Sequence, residues 1–254
     1  EMSLEDLVEL GISTVSKLSE KRYLAAAAIH VITAEDISRS PATTSPGLLR
    51  MVPGLLVAQL DANKWSVSSR GRDGRYSGSL LVLIDGRSVY APLFSGVNWE
   101  IRDVLLEDIE RIEIIRGPGG ALWGANAVNG VINIITKSAL DTLGGYARVG
   151  GGTETQGFGE LRYGAKAGAH GAYRVYGKYF QRDDGVFPDG RTANDSWLYA
   201  RAGARYDGKW DEDQVTVQGD VFCASLNQTL NIPRQHIPYI DLENVDSYFS
   251  GGNV

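Results

Sequence analysis

The glycine-rich segment in the middle of the chain is the part of the sequence that comes closest to a phosphate-binding loop. Gly119 and Gly124 have the separation of the two glycines in a Walker loop, but Ala125 and Asn126 follow where Lys and then Ser or Thr are needed. The lysine of such a loop reaches the phosphates and the hydroxyl holds magnesium. A dinucleotide-binding fingerprint fails as well, because Leu122 stands where its third glycine belongs. The spacing therefore argues against nucleotide binding.

Residue patterns for metal binding and catalysis are also missing from the sequence. Cys223 is the only cysteine, which leaves no internal disulfide and no thiolate metal cage. His30, His170 and His236 are widely separated and lack the local spacing of a metal site. No pair of nucleophile and base and no close pair of carboxylates can be nominated. The sequence therefore predicts a protein that is not an enzyme and has no metal and no cofactor.

Composition and charge narrow the class of protein further. The chain has 254 residues, of which 43% are hydrophobic, and this is enough for a buried core in one or two domains. Its net charge of -6 argues against nucleic acid as a partner, because the phosphate backbone would be repelled. The longest apolar runs, at 80–84 and 23–32, are far shorter than the roughly 18 residues of a membrane-spanning helix. The sequence therefore predicts no such helix.

Two short helices are predicted in the first third of the chain by their start and stop signals. Thr33-Ala-Glu-Asp36 is a capping box with Asp in place of the usual Glu, and its helix should end near Pro41. Ser45, followed by Pro46 at the first helical position, should start a second helix that Pro53-Gly54 stops.

A β-hairpin and two further buried strands are predicted next. The segments 81–84 and 87–90 flank Asp85-Gly86, a dipeptide that suits the positive φ angles of a type I′ turn. The apolar segments 109–115 and 131–136 supply two more strands. Together these elements predict an α+β domain, with a small mixed sheet and short helices.

The pattern changes after Lys137 to antiparallel segments of about ten residues with alternating polarity. Such alternation over this length is typical of outer-membrane barrel strands, although a soluble sandwich has the same period. A sixth strand is predicted to start at Gly251. The five clear segments lie near 145–150, 157–166, 173–180, 196–206 and 214–223.

Several motifs occur in an order that resembles the plug domain of TonB-dependent outer-membrane receptors. The main one runs from Asp108 to Lys137 and joins two apolar strands through the glycine-rich turn. The others, in chain order, are Val31-Ile-Thr-Ala-Glu-Asp-Ile37, Leu49-Arg-Met-Val-Pro-Gly54, Val67-Ser-Ser-Arg-Gly71 and Leu83-Ile-Asp-Gly-Arg87.

The resemblance implies a division of the chain into three parts. Residues 1–22 would be an N-terminal arm, 23–139 the plug, and 140–254 the first five or six strands of an incomplete outer-membrane β-barrel. Because plugged barrels have about 22 strands, the chain is expected to be an N-terminal fragment of a larger receptor. Its location would be the outer membrane of a Gram-negative bacterium, in contact with membrane lipid.

Particular residues acquire roles from the same resemblance. Arg70 and Arg116 are expected to pair with carboxylates of the barrel wall; the alternative is that each arginine only ends a strand in solvent. In the arm, a short extended segment would add as a strand to the periplasmic partner TonB. The candidate segment is 12–16, with Ile12, Thr14 and Val15 as the contacts; a structured lead-in to the plug is the alternative, because β-branched residues favour strands generally.

Three loop apices of the plug are expected to face an external ligand, at 61–65, 71–76 and 90–99. Aromatic side chains beside Arg and Lys can stack on and hydrogen-bond to a bulky, partly anionic molecule. The alternative is that Phe94 and Trp99 are packing anchors and that the charges form a solvated rim. The expected ligand contacts are Asp61, Asn63, Lys64, Arg72, Arg75, Tyr76, Phe94 and Trp99.

The barrel-like strands carry an excess of basic residues on the side expected to face the lumen. Such a wall could favour acidic ligands by electrostatic focusing, or it could pair with plug carboxylates such as Asp103, Glu107 and Glu110. The basic residues are Arg148, Arg162, Arg174, Lys178, Arg182, Arg201 and Arg205, against Glu160 and Asp220.

The function that the resemblance implies is TonB-dependent import of a scarce, bulky ligand, a ferric siderophore or another iron complex. A non-transporting surface binding module, such as a phage or bacteriocin receptor on the same scaffold, is the alternative. Siderophore, cobalamin, haem and oligosaccharide receptors share the plug pattern, so the sequence does not identify the ligand.

Overall fold

A computed structural model describes residues 11–12, 20–21, 28–70, 79–91, 96–124, 126–211 and 213–254. The chain divides into two compact units, one made of the described residues up to Ala58 with Trp65–Thr136, the other of Gln59–Lys64 with Lys137–Val254. The elements up to Thr136 are β1 (Gly11–Ile12), β2 (Glu20–Lys21), β3 (Ala28–Thr33), α1 (Ala34–Arg39), α2 (Ser45–Leu48), β4 (Leu55–Gln59), β5 (Trp65–Ser69), β6 (Leu80–Ile84), β7 (Arg87–Ser88), β8 (Ile109–Arg116), α3 (Gly120–Trp123) and β9 (Gly130–Thr136). Short 3₁₀ turns lie at Leu49–Met51, Trp99–Ile101, Leu106–Asp108 and Ala139–Asp141.

The first unit is built on a five-stranded mixed sheet in the order β3-β8-β9-β6-β7. Strands β6 and β9 pair in parallel, and the other neighbours are antiparallel. Apolar residues follow one another without alternation in β6 and β9, because both faces of the sheet are covered. Ile112 and Ile134 belong to the core on one face, whereas Leu81 and Val131 belong to the cluster on the other. The predicted small mixed sheet with short helices is confirmed.

Local sequence signals account for the ends of these elements. Both hydrogen bonds of the capping box between Thr33 and Asp36 are present, and α1 ends at Arg39. Asp85 and Gly86 have φ angles of 49° and 77°, as a type I′ turn requires, and the turn joins β6 to β7. Helix α2 begins at Ser45 with Thr44 as its N-cap, so Pro46 is the second helical residue and not the first.

The second unit contains one antiparallel sheet of six strands in sequential order. Outward-facing apolar side chains alternate with buried polar ones: Val175 is 46% exposed, whereas Arg174 and Lys178 on the opposite face of the same strand are buried. This alternation is the one predicted from the sequence. The strands are β10 (Gly144–Gly150), β11 (Thr155–Lys166), β12 (Gly171–Arg182), β13 (Trp197–Trp210), β14 (Asp213–Pro233) and β15 (Ile240–Asn253).

The last two strands differ from the prediction. Strand β15 begins at Ile240 and not at Gly251, and β14 continues to Pro233, well past the predicted end near residue 223. Residues 227–233 extend beyond Leu226, the last residue of β14 that pairs with β13, and form a two-stranded ribbon with β15. Polar residues outnumber apolar ones in this ribbon, and apolar alternation is limited to Leu230 with Ile232 and Ile240 with Leu242, which is too short to predict a strand. Among the described residues, no helix is long and apolar enough to cross a lipid bilayer.

Candidate functional site

The two motif arginines lie at the same end of the first unit. Arg116 is the last residue of β8, and its Nη1 donates to the backbone oxygen of Pro53 at 2.7 Å. Arg70 directly follows β5 in a left-handed conformation (φ 61°), which is uncommon for a residue other than glycine. A Cβ atom at Gly117 would lie 3.6 Å from Nη2 of Arg70, so its guanidinium is next to the residue that follows Arg116. The fold thus brings together two arginines that are far apart in sequence.

A carboxylate partner for these arginines is not found in the part of the chain that the structure describes. No Asp or Glu there has a side-chain oxygen within 4.0 Å of either guanidinium. Their pairing with the barrel wall therefore stays a prediction. The positive φ of Arg70 costs on the order of 1–3 kcal/mol, and such conformations cluster at functional sites.

In the glycine-rich turn that follows Arg116, backbone N–H groups are hydrogen-bonded to nearby backbone oxygens. The backbone amide of Gly117 donates to the backbone oxygen of Asn129 at 3.1 Å, and the backbone amide of Gly119 donates to the backbone oxygen of Ala127 at 2.8 Å. A phosphate loop instead points its amides at the ligand. The geometry of the turn therefore agrees with the failed nucleotide motifs.

The first predicted apex is a closed loop between β4 and β5. Its ends meet through a hydrogen bond from the amide of Leu60 to the oxygen of Lys64, at 2.8 Å. Asp61 accepts from the backbone amides of Asn63 and Lys64, and its other oxygen accepts from Nζ of Lys64 at 2.7 Å. Asn63 is fully buried and Lys64 is 8% exposed. The polar groups predicted to contact a ligand are thus hydrogen-bonded within the protein, and of these three residues only Asp61 keeps a partly exposed side chain.

The remaining predicted contacts comprise a buried residue, a residue of a short strand, and residues that the structure does not describe. Trp99 is 4% exposed and belongs to the hydrophobic core of the first unit, as the packing alternative anticipated. Ile12 lies in β1, where it pairs with Glu20 of β2. Arg72, Arg75, Tyr76, Phe94, Thr14 and Val15 lie outside the described residues.

The basic residues of the second unit are balanced, at least in part, by carboxylates of the same sheet. Neither sequence interpretation of the basic wall included this arrangement, which depends on cross-strand register. Glu160 and Lys178 are directly opposite each other on neighbouring strands, and both side chains are 2% exposed. The ion pairs are Lys178–Glu160 at 3.1 Å, Arg201–Asp220 at 2.7 Å and Arg205–Asp207 at 2.7 Å.

A connection of 14 residues between β12 and β13, residues 183–196, was not singled out from the sequence. At its tip the guanidinium of Arg191 lies 5.6 Å from the ring centroid of Phe187. The backbone amide and the guanidinium of Arg191 also donate to Asp189 and hold the pKa of that exposed carboxyl below its usual range. An exposed aromatic and a cation in contact can recognise a ligand with a π system or an acidic group.

Comparisons with known proteins agree with this architecture. Residues 21–131 match the family described as TonB-dependent Receptor Plug Domain. The chain is 34% identical over 152 residues to the ferric enterobactin receptor PirA of Pseudomonas aeruginosa, a match that covers 56% of this chain and 20% of the receptor. It is 30% identical over 226 residues to the vitamin B12 transporter BtuB of Photobacterium profundum, with coverage of 81% and 36%.

Solved structures show the same fold at lower identity. The pyoverdine-bound receptor FpvA of P. aeruginosa has a TM-score of 0.68 at 15% identity, over 94% of this chain and 32% of that one. The ferric yersiniabactin receptor FyuA of Yersinia pestis has a TM-score of 0.66 at 19% identity, over 89% and 37%. The chain spans about a fifth of the length of PirA and about a third of BtuB and of these two receptors. Residues 21–131 therefore form a plug domain of the TonB-dependent receptor type, and antiparallel strands of the barrel type follow it.

Proposed function

We propose that this receptor imports an iron complex, with a ferric siderophore as the ligand class, using energy delivered through TonB. The observation that carries the proposal is the plug domain at residues 21–131, in a chain whose relatives include receptors named for ferric enterobactin. Other relatives are named as vitamin B12 transporters. Cobalamin is therefore the ligand against which the proposal has to be tested.

Import requires a plug whose contacts can be made and broken. In the proposal, Arg70 and Arg116 hold the plug through carboxylates of the barrel wall, because an ion that loses a buried partner becomes costly. The arm, with Ile12, Thr14 and Val15, supplies the strand that TonB binds. These roles come from the resemblance, and the shared location of the two arginines supports them.

The ligand is proposed to meet the external apices of the plug. Arg72, Arg75, Tyr76 and Phe94 supply its aromatic and cationic contacts, and Asp61 is the partly exposed member of the first apex. Asn63 and Lys64 are buried, and so is Trp99. These three residues shape the apex and the core beneath it in the proposal and do not touch the ligand.

The proposal is tested by uptake in a host that lacks its own siderophore and cobalamin receptors. Radiolabelled ferric siderophores and cobalamin are offered to cells with and without TonB, and label inside the cells is counted. Accumulation of iron that requires TonB supports the proposal. Accumulation of cobalamin alone would make cobalamin the ligand in place of a ferric siderophore. Surface binding without accumulation would favour a binding module or a phage or bacteriocin receptor.

The arginine roles need their own variant. In Arg70→Ala/Arg116→Ala, uptake should fall at least about tenfold, the factor that corresponds to 1.4 kcal/mol, while ligand binding to whole cells stays within a few-fold. The matched control is Arg39→Ala/Arg234→Ala, which removes two exposed arginines whose surface ion pairs are worth about 1 kcal/mol or less. Equal amounts of each protein in the outer membrane must be confirmed. Uptake that is unchanged in the first variant would refute these roles.

A further inference from the structure

The first apex loop, residues 59–64, groups with the barrel-type strands and not with the mixed sheet. It is hydrogen-bonded to Arg182 at the end of β12, to the two residues just before β13, and to Asn227 of β14, the first residue beyond the β13 pairing. These strand ends carry the longer connections, at 183–196 and 234–239, whereas the connection at the opposite end of β12 spans only 167–170. In outer-membrane barrels the long loops face outward and the short turns face the periplasm. The loop therefore sits at the outer end of these strands.

Asn63 provides the centre of this attachment. Its Nδ2 donates to the backbone oxygens of Asp195 at 2.8 Å, Ser196 at 3.2 Å and Asn227 at 2.9 Å. Its Oδ1 accepts from Nζ of Lys64 at 2.9 Å. The amide can have only this orientation, because the flipped one would place its oxygen against three carbonyl oxygens. A fully buried side chain thus joins residues that are more than 130 positions apart.

Asp195 adds a second attachment that involves both loops. Its Oδ2 accepts from the amide of Ala62 at 2.8 Å, and its Oδ1 accepts from the amide of Gly185 at 2.6 Å. The guanidinium of Arg182 donates to the oxygen of Ala62 at 3.1 Å. One buried carboxylate therefore links the apex to the start of the connection 183–196.

The connection 183–196 is also held by backbone bonds of its own. The amide of Asp183 donates to the oxygen of Glu154 at 2.9 Å, and the tip is closed by a bond from the amide of Phe187 to the oxygen of Arg191 at 2.8 Å. Within it, the amide of Ala193 donates to the oxygen of Gly185 at 2.8 Å, and that of Ser196 donates to Asp184 at 2.7 Å. A loop of this length without regular structure is usually functional or disordered. Its order, and with it the position of the Phe187–Arg191 contact at its tip, depends on how firmly its base is attached.

We propose that loop 59–64 is a latch that fixes the position of the outer loop 183–196. Asn63 and Asp195 are its positioning residues and are not ligand contacts. The latch presents Phe187 and Arg191 at the outer surface as one further recognition element for an aromatic or acidic ligand group. That last step rests on the proposed import function, whereas the latch itself does not.

The test is hydrogen exchange, measured by mass spectrometry on the receptor extracted from outer membranes. Asn63→Asp keeps the shape of the side chain but replaces the donor with an acceptor that faces three carbonyls. Exchange in 183–196 should accelerate roughly tenfold to a hundredfold, because lost hydrogen bonds of a buried group cost about 1–3 kcal/mol. Asn231→Asp makes the same chemical change at an exposed position of β14 and should leave exchange in 183–196 unaltered.

A reciprocal variant separates positioning from general stability. Asp195→Asn removes one of two acceptor oxygens, so the amides of residues 60–64 should exchange faster in turn. Coupling in both directions, with unchanged exchange in β6 and β9, supports the latch. Acceleration confined to the mutated loop overturns it, and so does an equal rise throughout both units. Because this readout needs no ligand, failure of the import proposal would appear in the uptake assay alone.

If import is confirmed, the ligand-facing step has a separate test. Phe187→Ala/Arg191→Ala should weaken siderophore binding to cells by about tenfold, since aromatic and cationic contacts of this kind contribute about 1–2 kcal/mol. Asn63→Asp should weaken binding in the same direction, because it frees the loop that carries them. Unchanged binding in both variants would leave the latch without a role in recognition.

Discussion

A single methyl group added at Gly130 should loosen the mixed sheet of the plug. Gly130 is the first residue of β9, where it pairs with Arg116 of β8 on one side and with Leu80 of β6 on the other. A Cβ atom there would lie 2.4 Å from the backbone oxygen of Ile115, a distance that real Cβ atoms do not reach. Gly130→Ala therefore requires β8 and β9 to separate at the start of their ladder.

The size of the effect follows from that geometry. To restore a separation of 3.0 Å, the backbone has to move by about 0.6 Å at a position where main chain and not a flexible side chain is in the way. Overpacking of this kind costs about 1–3 kcal/mol, and each ladder hydrogen bond that lengthens adds about 0.5–1.5 kcal/mol. The expected loss is about 2–4 kcal/mol, a substantial part of the 5–15 kcal/mol that stabilises a typical domain.

Hydrogen exchange of the β9 amides measures this loss. Protection of Ile132 to Ile134 should fall roughly thirty-fold to several hundred-fold, at 1.4 kcal/mol for each factor of ten. The control is Gly120→Ala in α3, where an added Cβ meets no atom within 4 Å and alanine is the better helix former. In this control variant, the protection of the β9 amides against hydrogen exchange should equal or exceed that in the wild type.

One result would refute the packing argument. If Gly130→Ala kept β9 protection within about threefold of the wild type, the added methyl group would cost less than about 0.7 kcal/mol. The close approach of the Ile115 carbonyl would then not be what requires glycine in this motif.

Two other substitutions test ion pairing and capping. Glu160→Gln should lower the temperature at which the folded receptor loses its fast-migrating electrophoretic band, because Lys178 would lose a buried charge partner at a cost of about 3 kcal/mol. The control Asp189→Asn removes one partner of an exposed ion pair and should change this temperature little. Equal shifts in the two variants would contradict the argument. Thr33→Ala should destabilise the first turn of α1 by about 1 kcal/mol through loss of the capping box, seen as about fivefold faster exchange of the Asp36 amide. No change at that amide would show that the cap is unimportant.

Features set by neighbouring residues were predictable from the sequence. The capping box at Thr33 and the Asp85-Gly86 turn depend on groups within four residues of each other, and the structure has both. The runs of apolar residues in β8 and β9 likewise predicted buried strands, since length and periodicity suffice for that inference.

Features set by distant residues were not predictable in the same way. Asn63 looked like an exposed polar residue of a loop, and nothing near it in sequence indicates that Asp195, Ser196 and Asn227 supply its acceptors. The ribbon of β14 and β15 was shortened in the prediction for a related reason. Its strands are held by backbone pairing and by cross-strand hydrogen bonds between polar side chains such as Thr229 and Asn244, and a single strand's sequence does not indicate either of these.

The position of β3 at the edge of the mixed sheet determines how the domain would respond to tension. Of the five strands of this sheet, β3 is the nearest to the N-terminus, and only one neighbour, β8, pairs with it, over the six residues Ala28–Thr33. A force applied to the N-terminal side of Ala28 would load this single ladder first, whereas β9 is held by ladders on both sides. Breakage would then begin at β3 and could stop there, so that β8, β9 and β6 remain as a folded remnant. Force spectroscopy on the N-terminus would register this as a small first extension that precedes the rupture of the sheet.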